Sequence, residues 1–204
     1  FVDDTHVRLT LRDDVVFHDG SKFTAEDVMF FFDSLSTLST LVSKYEFVDI
    51  PNCVVNNDYD ITLALKYSYA ETLNLLGNIY IVPKQAYLEM GEDAFGNDPV
   101  GSGPFKFVSW TAGSEFTVER FDDYWGDKAQ TQYLRFRVIP EASSRIVELE
   151  TGGIDLCTTP GTANISRVKN TDGLAVSMGP SARYVLLTFS MKDELLANKD
   201  VRYA

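Results

Sequence analysis

The residues able to do chemistry are few, and their spacing narrows what they could do. There are two histidines, His6 and His18, both near the start of the 204 residues. Nucleophilic catalysis of the Ser-His-Asp or Cys-His kind needs a histidine held by an acid beside a nucleophile, and nothing in the sequence supplies that set. His18 sits in Phe17-His18-Asp19-Gly20, a turn in which it is expected to make local hydrogen bonds. No His-Glu-x-x-His, Cys-x-x-Cys or EF-hand spacing occurs, so no metal site is expected. Nor is there a Gly-x-x-x-x-Gly-Lys phosphate loop. Gly101-Ser102-Gly103 runs into Pro104 and a strand-like segment rather than a helix, against a dinucleotide-binding turn. No cofactor is expected.

Three groups have a binding reading and a structural one. Cys157-Thr158-Thr159-Pro160 follows a segment read as a short strand, the place where α/β folds present ligands. The same threonines could simply cap a following helix. Backbone N–H groups of Gly101, Ser102 and Gly103 could touch a ligand, but flanking prolines favour a rigid connector. Asp122-Asp123-Tyr124-Trp125 could be a carboxylate pair or a sugar-stacking site; a turn plus an aromatic plug at the core edge is preferred. Cys53 and Cys157 allow a disulfide, with two unpaired thiols the preferred reading.

The elements that must position these groups show in the apolar periodicity. Val7 to Leu11 alternates as a half-buried strand does. Thr24 caps a helix, Asp27 completes a capping box, and Val28, Phe31, Phe32 and Leu35 form its inward stripe. Residues 36–44 are expected to be loop. Strands over 46–55 and 60–66 should form a hairpin through Asn56-Asn57-Asp58. Helices are expected at 70–77, closed by Gly77, and at 83–90, closed by Gly91. Strands follow at 105–110, 115–120 and 133–139. A helix over 141–151, with Ile146, Val147 and Leu149 inward, ends at Gly152-Gly153, and a strand covers 154–157. Residues 133–157 thus read as a βαβ crossover. A helix at 162–169 and strands at 174–178 and 183–190 complete the pass.

Composition bounds the function. At 45% hydrophobic, the chain can bury one good core or two small ones. Its formal net charge of −12 disfavours nucleic acid and anionic lipid as partners. No apolar run approaches the ~20 residues of a membrane-spanning helix.

The Gly-Ser-Gly connector and six further landmarks that run in order along the chain carry a resemblance. Pro99-Val100-Gly101-Ser102-Gly103-Pro104-Phe105 resembles the Pro-Val-Gly-Thr-Gly-Pro-Tyr signature of bacterial extracellular solute-binding proteins of family 5, the peptide- and nickel-binding receptors of ABC importers. Ser102 and Phe105 stand where Thr and Tyr are usual. Leu11-Arg12, Phe17-His18-Asp19-Gly20 and Phe23-Thr24-Ala25-Glu26-Asp27-Val28 are similar to the segment that opens the same family's pattern. Asp123-Tyr124-Trp125, Gly153-Ile154-Asp155 and Val201-Arg202-Tyr203-Ala204 match its later elements.

The resemblance implies an α/β fold of mixed helix and sheet. It would be a periplasmic-binding-protein-like lobe of two sheet-and-helix subdomains, residues 1–98 (peripheral) and 99–204 (core). It further implies that the chain is a piece, with the second lobe absent. The implied function is capture of oligo- or dipeptides outside the membrane, in the periplasm or lipid-anchored on the cell surface, and delivery to an ABC permease. Nickel-chelate, haem, opine or oligosaccharide are alternative solutes, and a non-catalytic sensor or scaffold module is an alternative class. An enzyme is not expected. By the resemblance, ligand contacts fall on Cys157, Thr158, Thr159, Leu187 and Ser190, with Ser36–Ser43 a distant rim. Gly101, Gly103, Pro104 and Asp155 are structural signature positions. The groups that hold a peptide's termini in this family, an aspartate and an arginine, would lie in the absent lobe.

Overall fold

A computed structural model describes residues 1–35, 39–180 and 185–203. By compactness the chain divides into Phe1–Val138 and Ile139–Ala204. The elements in chain order are β1 (His6–Thr10), α1 (Ala25–Ser34), α2 (Ser39–Val42), a 3₁₀ turn (Ile50–Asn52), β2 (Val54–Asn57), β3 (Asp60–Ala64), α3 (Thr72–Leu76), α4 (Lys84–Met90), α5 (Glu92–Asn97), β4 (Phe105–Thr111), β5 (Glu115–Arg120), β6 (Tyr133–Arg137), α6 (Ala142–Glu150), a 3₁₀ turn (Thr162–Asn164), α7 (Ile165–Lys169), α8 (Glu194–Ala197) and α9 (Lys199–Tyr203).

The first unit holds two antiparallel sheets, ordered β1-β3-β2 and β4-β5-β6. Strand β3 is buried at four of its five residues because it is central, whereas β2 at the edge is exposed throughout. Helix α1 lays Val28, Phe32 and Leu35 on this sheet, against Tyr45, Phe47, Ile61 and Leu63. Its start is fixed as expected: the Thr24 N–H donates to Asp27 Oδ2 at 2.8 Å. The buried Asp27 also accepts from the Lys84 N–H through Oδ1 at 2.9 Å, so one carboxylate caps α1 and α4 together. On the second sheet, Phe107, Phe116 and Phe136 form a cross-strand row with successive ring centroids 5.8 Å apart.

Several expected elements differ. The span 46–55 is a strand only from Val54; Pro51 has no N–H for a ladder, and the chain forms a 3₁₀ turn there. Helix α5 was not expected; positive φ at Gly91 lets the chain restart a helix at once. Segments 154–157 and 174–178 are not strands, and neither are the described residues of 183–190. The βαβ crossover over 133–157 is therefore overturned: β6 pairs antiparallel with β5, and no second strand follows α6 among the described residues. The mixed helix-and-sheet class holds, with antiparallel sheets among the described residues. The connector at Asn97–Gly103 separates the two sheets, yet the compact units part later, between Val138 and Ile139.

In the second unit, Ile146 of α6 and Val168 of α7 are buried. Val147 of α6, expected inward, is exposed. The Arg167 guanidinium grips the Glu150 carboxylate through two nitrogens and holds its pKa below the usual range.

Candidate functional site

Two places gather the residues singled out in the sequence. The first is the connector. His18 does not bond locally: its ring reaches a segment more than eighty residues on. The Gly101 N–H donates to Nδ1 at 3.2 Å, and Nε2 lies 3.0 Å from the Gly103 carbonyl oxygen. An amide N–H can only donate, so Nδ1 must be the bare nitrogen and Nε2–H must donate to Gly103. The His18 N–H also donates to the Gly101 carbonyl at 2.8 Å. The ring meets Phe121 edge-on at 5.0 Å. Burial is the main cause pushing the His18 pKa down, aided by Lys106; the Gly103 bond and Asp19 oppose it.

This explains the Gly-Ser-Gly-Pro connector more closely than glycine freedom does. Neither Gly101 nor Gly103 has positive φ. The two glycines offer backbone atoms to an imidazole, and Pro104 passes the chain into β4, with its carbonyl accepting from the Phe121 N–H at 2.9 Å. Ser102 accepts through its carbonyl from Trp125 Nε1–H at 3.0 Å. Trp125 is not a core plug: it is 40% exposed, and the Arg12 guanidinium lies 4.8 Å from its ring centroid. Beside it lies an apolar cavity of about 480 Å³, bordered by Arg12, Phe23, Tyr80, Ser102, Tyr124 and Trp125.

The second place is the segment after α6. Thr158 and Thr159 are exposed, Cys157 is half-buried and Asp155 is exposed. The βαβ strand that was to present them is missing, so they are held differently. Arg145 of α6 donates from Nη1 to the Ile139 and Pro140 carbonyls, both at 2.6 Å. From Nη2 and Nε it donates to the Thr159 carbonyl at 3.0 and 3.2 Å. Asn164 Nδ2–H donates to the Pro160 carbonyl at 2.8 Å. Positive φ at Gly161, which only glycine adopts freely, turns the chain into α7. Sequence reasoning passed over Arg145 and Asn164; an arginine in the first turns of a helix was the available signal, since the macrodipole disfavours a cation there.

Leu187 is 82% exposed and Ser190 is exposed as well, on backbone without regular structure. Of the expected Ser36–Ser43 rim, Ser36, Thr37 and Leu38 lie outside the described residues, and 39–42 is the short α2. Cys53 and Cys157 are both free. Burial pushes the Cys53 thiol pKa up, and its sulfur accepts from the Ala64 N–H at 3.3 Å. Among the described residues no group of three or more His, Cys, Asp or Glu is placed to hold a metal ion. None of their helices is long and apolar enough to cross a membrane.

Comparison with known proteins places this arrangement. The oligopeptide-binding protein AppA of Bacillus subtilis is 29% identical over 204 residues, covering 95% of this chain and 37% of that protein. Among solved structures, NikZ from Campylobacter jejuni in complex with Ni(L-His) matches with a TM-score of 0.85 at 28% identity, over 98% of this chain and 41% of that one. The periplasmic binding protein DppA from Helicobacter pylori in complex with peptide STSA matches with a TM-score of 0.72 at 25% identity, over 82% and 37%. The chain thus spans about two fifths of these relatives' lengths. The family described as bacterial extracellular solute-binding proteins, family 5 Middle, matches residues 2–204, and the chain belongs to that family.

Proposed function

We propose that this chain is part of the first lobe of a receptor that captures peptides outside the cytoplasmic membrane and hands them to an ABC permease. One observation carries the reading. The segment at Thr158-Thr159 exposes two threonines, and the carbonyls of Thr159 and Pro160 accept from the side chains of Arg145 and Asn164 rather than from a ladder. Short hydroxyls of this kind bond a peptide backbone directly or through water. In this reading Cys157 and Leu187 add apolar wall, and Ser190 a further hydroxyl. Residues 1–98 form a peripheral subdomain and 99–204 the core subdomain, and a second lobe closes over the ligand by hinge motion. The receptor is a binder, not an enzyme. The names of relatives that bind peptides support the choice of solute.

A second reading is a nickel-chelate receptor, favoured by the TM-score of 0.85 to a protein crystallised with Ni(L-His). A chelate brings its own ligands, so such a receptor needs no metal cluster of its own. Titration calorimetry on the intact receptor separates the two readings. The peptide reading expects Ser-Thr-Ser-Ala to bind with micromolar or tighter affinity and nickel–histidine to give no heat. The reverse pattern overturns it. The 204 residues alone should bind the tetrapeptide at least a hundredfold more weakly, because one face of a clamshell buries only part of a ligand. Submicromolar binding by this chain alone would remove the need for a second lobe.

A further inference from the structure

We propose that Arg145 is the positioning residue that sets the Thr158-Thr159 wall, with Asn164 as its second support. This inference rests on the peptide-receptor reading above. Among the described residues no backbone–backbone hydrogen bond reaches 155–160. The segment is not paired to a strand, and the hydrogen bonds that reach it, at Thr159 and Pro160, come from side chains. Arg145 spans three carbonyls: Ile139 and Pro140, where the chain enters α6, and Thr159, fourteen residues beyond Arg145 itself.

Three observations separate this from ordinary helix stabilisation. A cation in the first turns of a helix works against the macrodipole, so Arg145 is not placed there for the sake of α6. No carboxylate partners it among the described residues, so it is not half of an ion pair. Its planar fork matches the task. Nε and Nη2 share one oxygen, while Nη1 is left for two others, a pattern that a lysine ammonium at a single point does not reproduce. Asn164 then takes the next carbonyl, Pro160, so consecutive residues of the loop are each held by a different element. Ser143 and Ser144, exposed on α6 beside Arg145, make no such reach.

The consequence is specific. Thr158 and Thr159 can present hydroxyls in a fixed position without any strand beneath them, and changing Arg145 should loosen that position while leaving α6 folded. The test uses the intact receptor with Cys53→Ser and Cys157→Ser, carrying one nitroxide at Thr158→Cys or, as a control on α6, at Ser144→Cys. Arg145→Gln and Arg145→Lys are each introduced. The expected result is a sharper, more mobile spectrum at position 158 in both variants, with position 144 unchanged. In label-free receptor, Arg145→Gln should weaken Ser-Thr-Ser-Ala binding about tenfold. Arg145→Lys should fall between the wild type and Arg145→Gln. An unchanged spectrum at 158 overturns the proposal. Equal mobilisation at 158 and 144 also overturns it, since that is loss of the helix. Mobility at 158 with unchanged affinity overturns the positioning role. If the unsubstituted receptor does not bind the tetrapeptide, the peptide reading itself has failed, and the label alone still decides whether Arg145 fixes the loop.

Discussion

The connector latch at His18 gives the sharpest prediction, because sequence position and structure disagree about what the residue does. Replacing His18 with alanine removes two ring hydrogen bonds and one edge-on aromatic contact, while the His18 N–H to Gly101 carbonyl bond survives. At about 1 kcal/mol for each bond and about 0.5–1.5 for the ring pair, the full sum is about 3 kcal/mol. A polar hollow lined by His18, Asp19, Lys106 and Glu119 adjoins the ring, so water can reach the freed Gly101 N–H. That lowers the expected loss to about 2 kcal/mol. His18→Asn retains an acceptor near Nδ1, and His18→Gln a donor near Nε2. Each should recover about half.

The pH dependence carries the same logic and a definite sign. Protonation puts a hydrogen on Nδ1, and the Gly101 N–H loses its acceptor. With the folded pKa held below the ordinary histidine value, chiefly by burial, the unfolded chain takes up the proton first. The latch is therefore complete above about pH 6.5, the ordinary value, and its contribution is lost as pH falls below it. Lys106 and Asp19 oppose each other at the ring, and Arg120, Asp122 and Asp123 line the adjoining hollow. Urea unfolding of wild type and His18→Asn at pH 7.5 and 5.0 should give a stability gap that narrows at the lower pH. Parallel pH profiles, or a loss below about 0.5 kcal/mol in His18→Ala, would refute the reasoning.

Other substitutions test the remaining links. Phe32→Ala removes a fully buried ring from the face of α1 and should cost about 3–5 kcal/mol in the same unfolding assay. Asp60 is held below the usual carboxylate range, first by Arg8 and then by Asn56. Its contribution is present above about pH 3.9 and lost as pH falls further, so Asp60→Asn should be less stable at pH 7 and show a shallower acid decline between pH 5 and 2. In the intact receptor, Thr159→Ala should weaken tetrapeptide binding about fivefold, the worth of one hydrogen bond, and Leu187→Asp more than that; calorimetry showing both unchanged would put the wall elsewhere.

Local chemistry was legible and pairing was not. The capping box of Thr24 and Asp27 and the glycines that end α4 and α6 each act within a few residues, so a sequence can display them. A strand needs a neighbour to take its hydrogen bonds, and no alternation within 154–157 or 174–178 says whether one is there. The same limit applied to the site. Cys157-Thr158-Thr159-Pro160 was picked out because a βαβ strand was expected to present it, and that reason fails even though the two threonines are exposed.

What replaces the missing strand is a device the two candidate places share. At the connector, an imidazole from Phe17-His18-Asp19-Gly20 takes up the backbone of Gly101 and Gly103; after α6, a guanidinium takes up the backbone of Ile139, Pro140 and Thr159. In both, a side chain takes hydrogen bonds that a ladder partner would otherwise take, on backbone outside the strands and helices. Gly101 and Gly103 read from the sequence as part of a rigid connector, and what they contribute is unobstructed carbonyl and amide groups. Arg145 was not noticed because its partners have no side-chain signature at all: a carbonyl oxygen can belong to any residue. Segments fixed in this way depend on single side chains, which is why His18 and Arg145, rather than the glycines or the threonines themselves, are where substitution should separate local order from the stability of the whole.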